Sequence, residues 1–512
     1  MKSTYLKCFL PCALMALVLT GTACTEKWSE HYDPGSFNLP DKTLTAHIRE
    51  HPGLSTFSGM LKISGYDQLL DASQSFTVWA PSNAALAGLD TTNADLVLDI
   101  VRNHIARSRY TTTGVDQQAI RMLNGKFIYF SREAAGYTFG NSNVLEVNTP
   151  AVNGLLHVID GYAPYQNNLW EFIGKEETLD SLRTYLFGQS RNIFDPVNSV
   201  EIGVNEDGQA VYDTVFIFSN PVLDEIGAID NEDSIYTAIF PDNTAWIEAY
   251  SRIEPYFNFP EDAGGRERQR EESQFTLVQD MLFEGVVSEP SSLDSLVSTT
   301  GTVFDNPGSL FSNTDQVPLS NGLAHVTSRM PYSDTDSWFR EIRIEAEDQE
   351  GRINVNSNIF PRSSYGSGLD VSENNYILVD PTSADPSVEF SIPNTLSAKY
   401  NIYCVFVPPS IVNPLDFIPT KARFVLTYIR RTSGSTFVSR ITPEDNITLP
   451  FGMMKMLVTQ FDFEFANVIS DEFERIAVKL EVINDVTAVE EQSGEFSRTM
   501  RIDCIILEPV LE

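Results

Sequence analysis

Two motifs occur twice, in the same order, along this chain of 512 residues. Ser75-Phe76-Thr77-Val78-Trp79-Ala80-Pro81-Ser82-Asn83 returns as Ile235-Tyr236-Thr237-Ala238-Ile239-Phe240-Pro241-Asp242-Asn243. Farther on in each copy, Asn153-Gly154-Leu155-Leu156-His157-Val158-Ile159-Asp160 returns as Asn321-Gly322-Leu323-Ala324-His325-Val326-Thr327-Ser328. A duplicated pair of motifs demands a duplicated fold. In the first motif an apolar strand runs into a proline that presets φ, followed by an asparagine able to cap a helix. In the second, Asn-Gly supplies positive φ for a tight turn before an apolar strand that carries one histidine. Between them in the first copy, Val97, Ile100, Val101, His104 and Ile105 recur at helical spacing on one face. Each copy is therefore expected to be an α+β unit, and the two to stand in tandem.

Composition narrows the partners. With 42% hydrophobic and 11% aromatic residues the chain can fill packed cores. It carries 35 Lys and Arg against 70 Asp and Glu, a net charge of −35, and so repels phosphate backbones. Nucleic acid is excluded as a partner on that ground. The start of the chain sets an expectation of export: Lys2 and Lys7 are followed by an apolar stretch from Phe9 to Leu19, too short to span a bilayer, and by small residues before Cys24. Gly21-Thr22-Ala23-Cys24 resembles a bacterial lipoprotein cleavage box, although Gly21 stands where leucine is usual. The resemblance implies a signal peptide over 1–23 and lipidation of Cys24 at the outer membrane.

The paired motifs resemble the two signature boxes of the fasciclin domain. Residues 41–165 match both, with Trp79 where phenylalanine is common. Residues 166–333 match more loosely, Val326-Thr327-Ser328 replacing Val-Ile-Asp, with a polar insertion around Asp262 to Ser273. Some animal members use a Tyr-His pair between the boxes for integrin adhesion. This chain has Asn103-His104 in the first copy and no histidine from Gln274 to Val287 in the second, so integrin binding does not carry over. The acidic, aromatic stretch Thr25 to Pro34 resembles the tether of Bacteroidetes surface lipoproteins and defines residues 24–40 as such. That likeness implies company with a Sus-like transporter and its lid lipoprotein.

From Trp338 onward the pattern becomes all-β. Val478, Leu480 and Val482 alternate with Lys479 and Glu481, as half-buried antiparallel strands do. Residues 334–512 are expected to form a β-sandwich or jelly roll. Ile344-Glu345-Ala346-Glu347-Asp348 at its start, Ser364-Tyr365-Gly366-Ser367-Gly368, and Arg501 to Pro509 at its end resemble a carbohydrate-binding module of the galactose-binding-like type. In such modules acidic residues of the opening and closing strands hold a structural Ca²⁺, which implies that role for Glu345, Glu347 and Asp503. Tyr365, Trp338, Phe360 and Tyr376 are the aromatic candidates for stacking on a sugar face, against the plain alternative of core packing.

Catalytic signals are missing from the sequence. The six histidines, at 31, 47, 51, 104, 157 and 325, show no metal-ligand spacing, and no nucleophile elbow, phosphate loop or dinucleotide fingerprint occurs. Cys404 and Cys504 lie in apolar strand-like runs on what alternation makes the inward face, as either a disulfide or two buried thiols. The resulting expectation is a non-enzymatic surface lipoprotein with no cofactor other than Ca²⁺. It would capture a glycan or peptide, or scaffold an uptake complex, with cell-surface adhesion as the alternative.

Overall fold

The computed structural model describes residues 40–511 apart from 72–73, 205–209, 383–384, 431–435 and 470–476. The signal segment, Cys24 and the tether as far as residue 39 lie outside the described residues. The chain divides into two compact units, 1–166 and 167–512.

The first unit opens with helices α1 (Leu44–Glu50), α2 (Ser55–Ser64) and α3 (Tyr66–Leu70), then β1 (Phe76–Pro81), α4 (Ala94–Arg102) and β2 (Ile105–Arg107). Strands β3 (Gln117–Arg121), β4 (Phe127–Glu133), β5 (Gly136–Phe139), β6 (Ser142–Ala151) and β7 (Gly154–Ile159) complete a sheet of order β2-β1-β7-β6-β5-β4-β3. The two sequence motifs are neighbours at its centre: β1 and β7 pair in parallel, Phe76 opposite Gly154 and Trp79 opposite His157. Both strands are buried along their whole length, which is why they read as unbroken apolar runs.

The glycine has a different reason from the one expected. A Cβ on Gly154 would lie 2.0 Å from the Phe76 carbonyl oxygen of the parallel partner, so the position is closed to any side chain by close approach. The asparagine before it is a clamp. Its Oδ1 accepts the Leu44 N–H at the start of α1 (2.9 Å), and its Nδ2 donates to the Leu70 carbonyl. Asn83 caps no following helix, since residues 83–88 form only turns. It reaches back instead, accepting from Thr56 N–H (2.9 Å) at the start of α2 and donating to the Pro52 carbonyl. Helix α4 buries Val97, Ile100 and Val101 as expected but ends at Arg102, so His104 sits beyond it. His104 is fully buried; its Nε2 accepts the Ala163 N–H, which leaves the proton on Nδ1 for the Ile100 carbonyl at 2.6 Å. Burial pushes its pKa down to about 4, so it is a neutral structural residue.

The second unit begins with the same plan. Helices α5 (Leu169–Lys175) and α6 (Asp180–Gly188) precede β10 (Tyr236–Pro241), which pairs in parallel with β15 (Gly322–Thr327), Tyr236 opposite Gly322 and Ile239 opposite His325. Asn321, fully buried, accepts from Leu169 N–H (2.8 Å) and donates to the carbonyls of Ile229 and Asn231. Asn243 accepts from Ser181 N–H (2.8 Å) at the start of α6 and donates to Glu177. Here a helix does follow, α8 (Asn243–Ile253), but its cap is Asp242. The sheet is shorter, β11-β10-β15-β14, with β11 at Leu282–Glu284 and β14 at Asp315–Leu319. The polar stretch read as an insertion folds largely into helix α9 (Gly265–Val278). The larger departure is a ribbon, β8 (Arg191–Val204) with β9 (Ala210–Ser219), which pairs with no other sheet among the described residues.

The remainder is a β-sandwich. One sheet runs β18-β19-β26-β21-β24 with β16 also on β26; the other runs β17-β20-β25-β22-β23. The first comprises β16 (Ile342–Glu345), β18 (Asn358–Ser363), β19 (Asn375–Asp380), β21 (Lys399–Phe406), β24 (Met454–Asp462) and β26 (Met500–Pro509). The second comprises β17 (Arg352–Val355), β20 (Ser387–Ser391), β22 (Ala422–Ile429), β23 (Thr436–Ile441) and β25 (Lys479–Asn484). Its core is continuous with that of the second repeat. Phe339 packs on Tyr256 (ring centroids 4.9 Å apart) and on Tyr400 (5.8 Å), and Arg268 of α9 lies over Phe259 and donates to the Val468 carbonyl.

The clamp has a measurable weight. Asn321→Ala leaves the Leu169 N–H and two carbonyls without their partner at a site with no solvent access, and is expected to cost about 2–3 kcal/mol. Urea unfolding of the second unit measures it; an unshifted midpoint would remove the asparagine from the list of stabilising contacts.

Candidate functional site

The acidic residues at the two ends of the sandwich do converge, and a β-bulge brings them together. Between the pairs Cys404–Ile505 and Phe406–Ile502, the single residue Val405 faces two residues, Asp503 and Cys504. The extra residue breaks the alternation: Ile502 and Ile505 enter the sandwich core, while Cys504 packs with Val405 and Ile506 on the opposite face. Asp503 is thereby turned toward β16, whose last residue, Glu345, stands opposite Cys504. One ligand atom each from Glu345, Asp503 and Cys504 lie within 4.8 Å of one another.

A third element closes the cluster. Ser372 donates its backbone N–H to Asp503 Oδ1 (3.1 Å) and its hydroxyl to Glu345 Oε1 (2.7 Å). That accounts for one oxygen of each carboxylate. Glu345 Oε2 and both oxygens of Glu347 are buried with no hydrogen-bond partner. Burial pushes Asp503 up to about 7, and the nearby Glu345 and Glu347 add to it; Glu347 is raised mainly by burial, with Glu345 contributing. Nearby cations are engaged elsewhere, Arg343 with Glu341 (2.7 Å) and Arg352 with the carbonyls of Glu347 and Asp348. Buried oxygens without donors and carboxyls held against ionisation are what a hard oxygen-liganded cation would relieve. Cys504 adds no thiolate, because burial raises its pKa, so the donor set suits Ca²⁺ better than a soft metal.

The aromatic candidates separate. Tyr365 is 88% exposed, in the loop between β18 and Ser372. Phe360 is 39% exposed on the outer strand β18, with the Arg362 guanidinium 5.3 Å from its ring centre. Tyr376 is 2% exposed and packs with Val371 and Val407, and Trp338 stacks on Phe339 and meets Tyr256 edge-on at 5.0 Å. Tyr376 thus belongs to the core, while Trp338 is half-buried with its ring packed against the second repeat. Period-two reading could not foresee this, because Trp338 precedes the first strand and meets the second repeat. The two cysteines are free thiols on opposite faces of their sheet, Cys404 in the sandwich core and Cys504 outside it. Cys504 alternates outward with Ile506 from the inward Ile505 and Leu507, and the bulge returns Ile502 to the core side, so counting by two from Ile502 misplaces Cys504.

A cleft of about 1010 Å³ also opens between α9 and the sandwich, lined among others by Glu254, Asp262, Arg266 and Glu464. The phenylalanines at its floor, Phe259, Phe463 and Phe465, are buried. It therefore presents charge and no aromatic face.

Residues 52–162 match the fasciclin domain, and the chain carries such a domain there. Protein sll1483 of Synechocystis sp. (strain ATCC 27184 / PCC 6803 / Kazusa) is 27% identical over 115 residues, 21% of this chain and 64% of that protein. The chain thus spans under two thirds of that relative. Among solved structures, a FAS1 domain pair from the insect cell adhesion molecule fasciclin I is 14% identical with a TM-score of 0.21, covering 56% of this chain and 98% of that one. A xylan-binding domain from CBM 22 is 13% identical with a TM-score of 0.18, covering 32% and 97%. The fold is two α+β repeats of like plan in tandem, the first holding the fasciclin domain, followed by an all-β sandwich.

The carboxylate cluster yields a direct test. Millimolar Ca²⁺ is expected to raise the melting temperature of the second unit and EDTA to lower it, while Glu347→Gln weakens Ca²⁺ binding at least tenfold by calorimetry. Identical melting in Ca²⁺ and in EDTA would show that the carboxylates hold no ion.

Proposed function

We propose that this protein is a non-enzymatic capture or scaffolding protein, held at the outer-membrane surface by a lipid on Cys24. Its C-terminal sandwich would present a glycan-binding loop braced by Ca²⁺. One observation carries the reading: Tyr365, the most exposed of the candidate aromatics, sits in a segment whose far end, Ser372, is hydrogen-bonded to Glu345 and Asp503. Those two residues with Glu347 would hold the ion, which would add positive charge where burial raises the carboxyls. Fixing the loop before a ligand arrives lowers the ordering cost of binding. Stacking on a ring face needs no charge, which suits a surface too acidic for anionic polymers.

The fasciclin domains are compatible with a binding or adhesion role. Within this proposal they act as spacers and docking modules beside a Sus-like transporter and its lid lipoprotein; the adhesin alternative rests on the same domains. Both readings require the anchor. Cys24→Ser is expected to move the protein from the membrane to the soluble fraction, and unchanged fractionation would end the anchored reading.

Ligand binding is tested on the intact mature chain by calorimetry against neutral polysaccharides. Expected are dissociation constants between about 1 μM and 1 mM. Tyr365→Ala should weaken them roughly fivefold, the worth of one stacked ring at about 1 kcal/mol, with the melting temperature unchanged. Equal binding by the variant, or no heat from any polysaccharide, would leave the sandwich without a sugar site at Tyr365.

A further inference from the structure

Two loops at one end of the sandwich run side by side: 407–421, joining β21 to β22, and 442–453, joining β23 to β24. Their backbones are joined, Thr448 N–H to the Thr420 carbonyl (2.9 Å) and Ala422 N–H to the Asn446 carbonyl (3.0 Å). The rings of Phe417 and Phe451 meet at 5.7 Å. These loops expose Leu415 (77%), Phe417 (52%), Ile418 (41%), Ile447 (46%), Leu449 (49%) and Phe451 (64%). Isolated exposed apolar residues are ordinary, but a group of large ones on two bonded loops marks a surface that another molecule covers. The loops are also stiffened, by Pro408, Pro409, Pro414 and Pro419 on one and Pro443 and Pro450 on the other, so little freedom remains to be lost on docking.

The charge around the group identifies what covers it. Glu444 and Asp445 are exposed on the second loop, and Glu491 and Glu495 are exposed on and just after helix α10 (Ala488–Ser493). That helix is tied to the loops by Lys421, which pairs with Glu490 and lies 4.3 Å over the Phe496 ring, and by Ser497 N–H donating to the Pro419 carbonyl. Of the cations near the site, Lys421 is paired with Glu490 and Arg501 lies 3.9 Å from Asp416, while Arg440 is exposed at the end of β23. The four exposed carboxylates outnumber it, and the apolar group has a net acidic neighbourhood.

We propose that this loop pair docks a protein surface whose apolar side chains are ringed by lysine and arginine. A second copy of the chain would bring two acidic neighbourhoods together, and an anionic bilayer would be repelled in the same way. Val407, Ile411 and Met453 of the two loops pack with Leu369 and Val371 of the Tyr365 segment, but the exposed apolar group does not include Tyr365, so this proposal rests on observations other than those behind the glycan reading.

The test uses the intact mature chain and a synthetic amphipathic helix with a leucine and phenylalanine face flanked by lysines, beside a twin with glutamate in place of lysine. The lysine peptide is expected to bind, more weakly as salt rises, and the glutamate twin to bind at least tenfold more weakly. The pair Phe417→Ser and Phe451→Ser should lose at least tenfold, and Glu444→Lys with Asp445→Lys at least threefold, while melting temperature and Tyr365-dependent binding stay as in the parent. Equal binding of both peptides would reduce the surface to general stickiness. Dimerisation that the Phe417 and Phe451 variants abolish would assign it to a second copy, and binding to neutral lipid vesicles lost in the same variants would assign it to a membrane. Each of these three results overturns the proposal.

Discussion

Each repeat depends on a parallel pair of buried strands locked by an asparagine. Asn153 and Asn321 stand just before the inner strand and accept the first N–H of the opening helix; Asn153 donates to Leu70 at the end of α3, and Asn321 to Ile229 in the loop before the partner strand. Asn83 and Asn243, at the end of the partner strand, do the same for the second helix. Helix starts carry unpaired N–H groups and buried loops carry unpaired carbonyls, and one primary amide satisfies both at once. Helices and sheet are therefore oriented by side-chain amides as well as by packing. The glycine that follows admits the closeness of the strands, since any Cβ at Gly154 or Gly322 would meet the opposing carbonyl oxygen at 2.0 or 1.8 Å.

The sandwich places its constraint elsewhere. A single extra residue in β26 turns Asp503 out of alternation and toward Glu345, and the carboxyls gathered there outweigh the Arg343 and Arg352 charges near them, since burial still raises Asp503 and Glu347. Burying carboxylates together is costly without further compensation. The segment that carries Tyr365 is fastened to that group through Ser372.

Much of this was legible in the sequence because it rests on residues that nothing else can replace. Asn-Gly and Pro-x-Asn recur in both copies since backbone contacts, not volume alone, demand them. Glu345 and Asp503 were named from a resemblance at the two ends of the sandwich; their ligand atoms lie together with that of Cys504, in a group that does not include Glu347. The mistakes come from long-range geometry. The bulge at Asp503–Cys504 leaves no mark in the local pattern, so Cys504 was assigned to the wrong face. Asn83 and Asn243 look like caps for the helix ahead, whereas their partners lie 27 and 62 residues behind. Tyr376 and Trp338 are aromatic residues near turns, and only partners distant in sequence, Val407 for the buried Tyr376 and Tyr256 for the half-buried Trp338, engage their rings. The β8–β9 ribbon was not foreseen, and its alternation is that of any strand pair.

The shared core of the second repeat and the sandwich carries a consequence for how the chain withstands load. Phe339 bridges Tyr256 and Tyr400, and the Ala466 and Asn258 backbones are joined by a hydrogen bond of 2.8 Å. A linker of free residues would let each part swivel and unfold alone. Here a pull applied at the sandwich loops passes through packed aromatic rings into the helices and sheet of the repeat before it reaches the chain toward the N-terminus. The repeat and the sandwich share packed rings and backbone hydrogen bonds, so neither part can separate without breaking the core of the other.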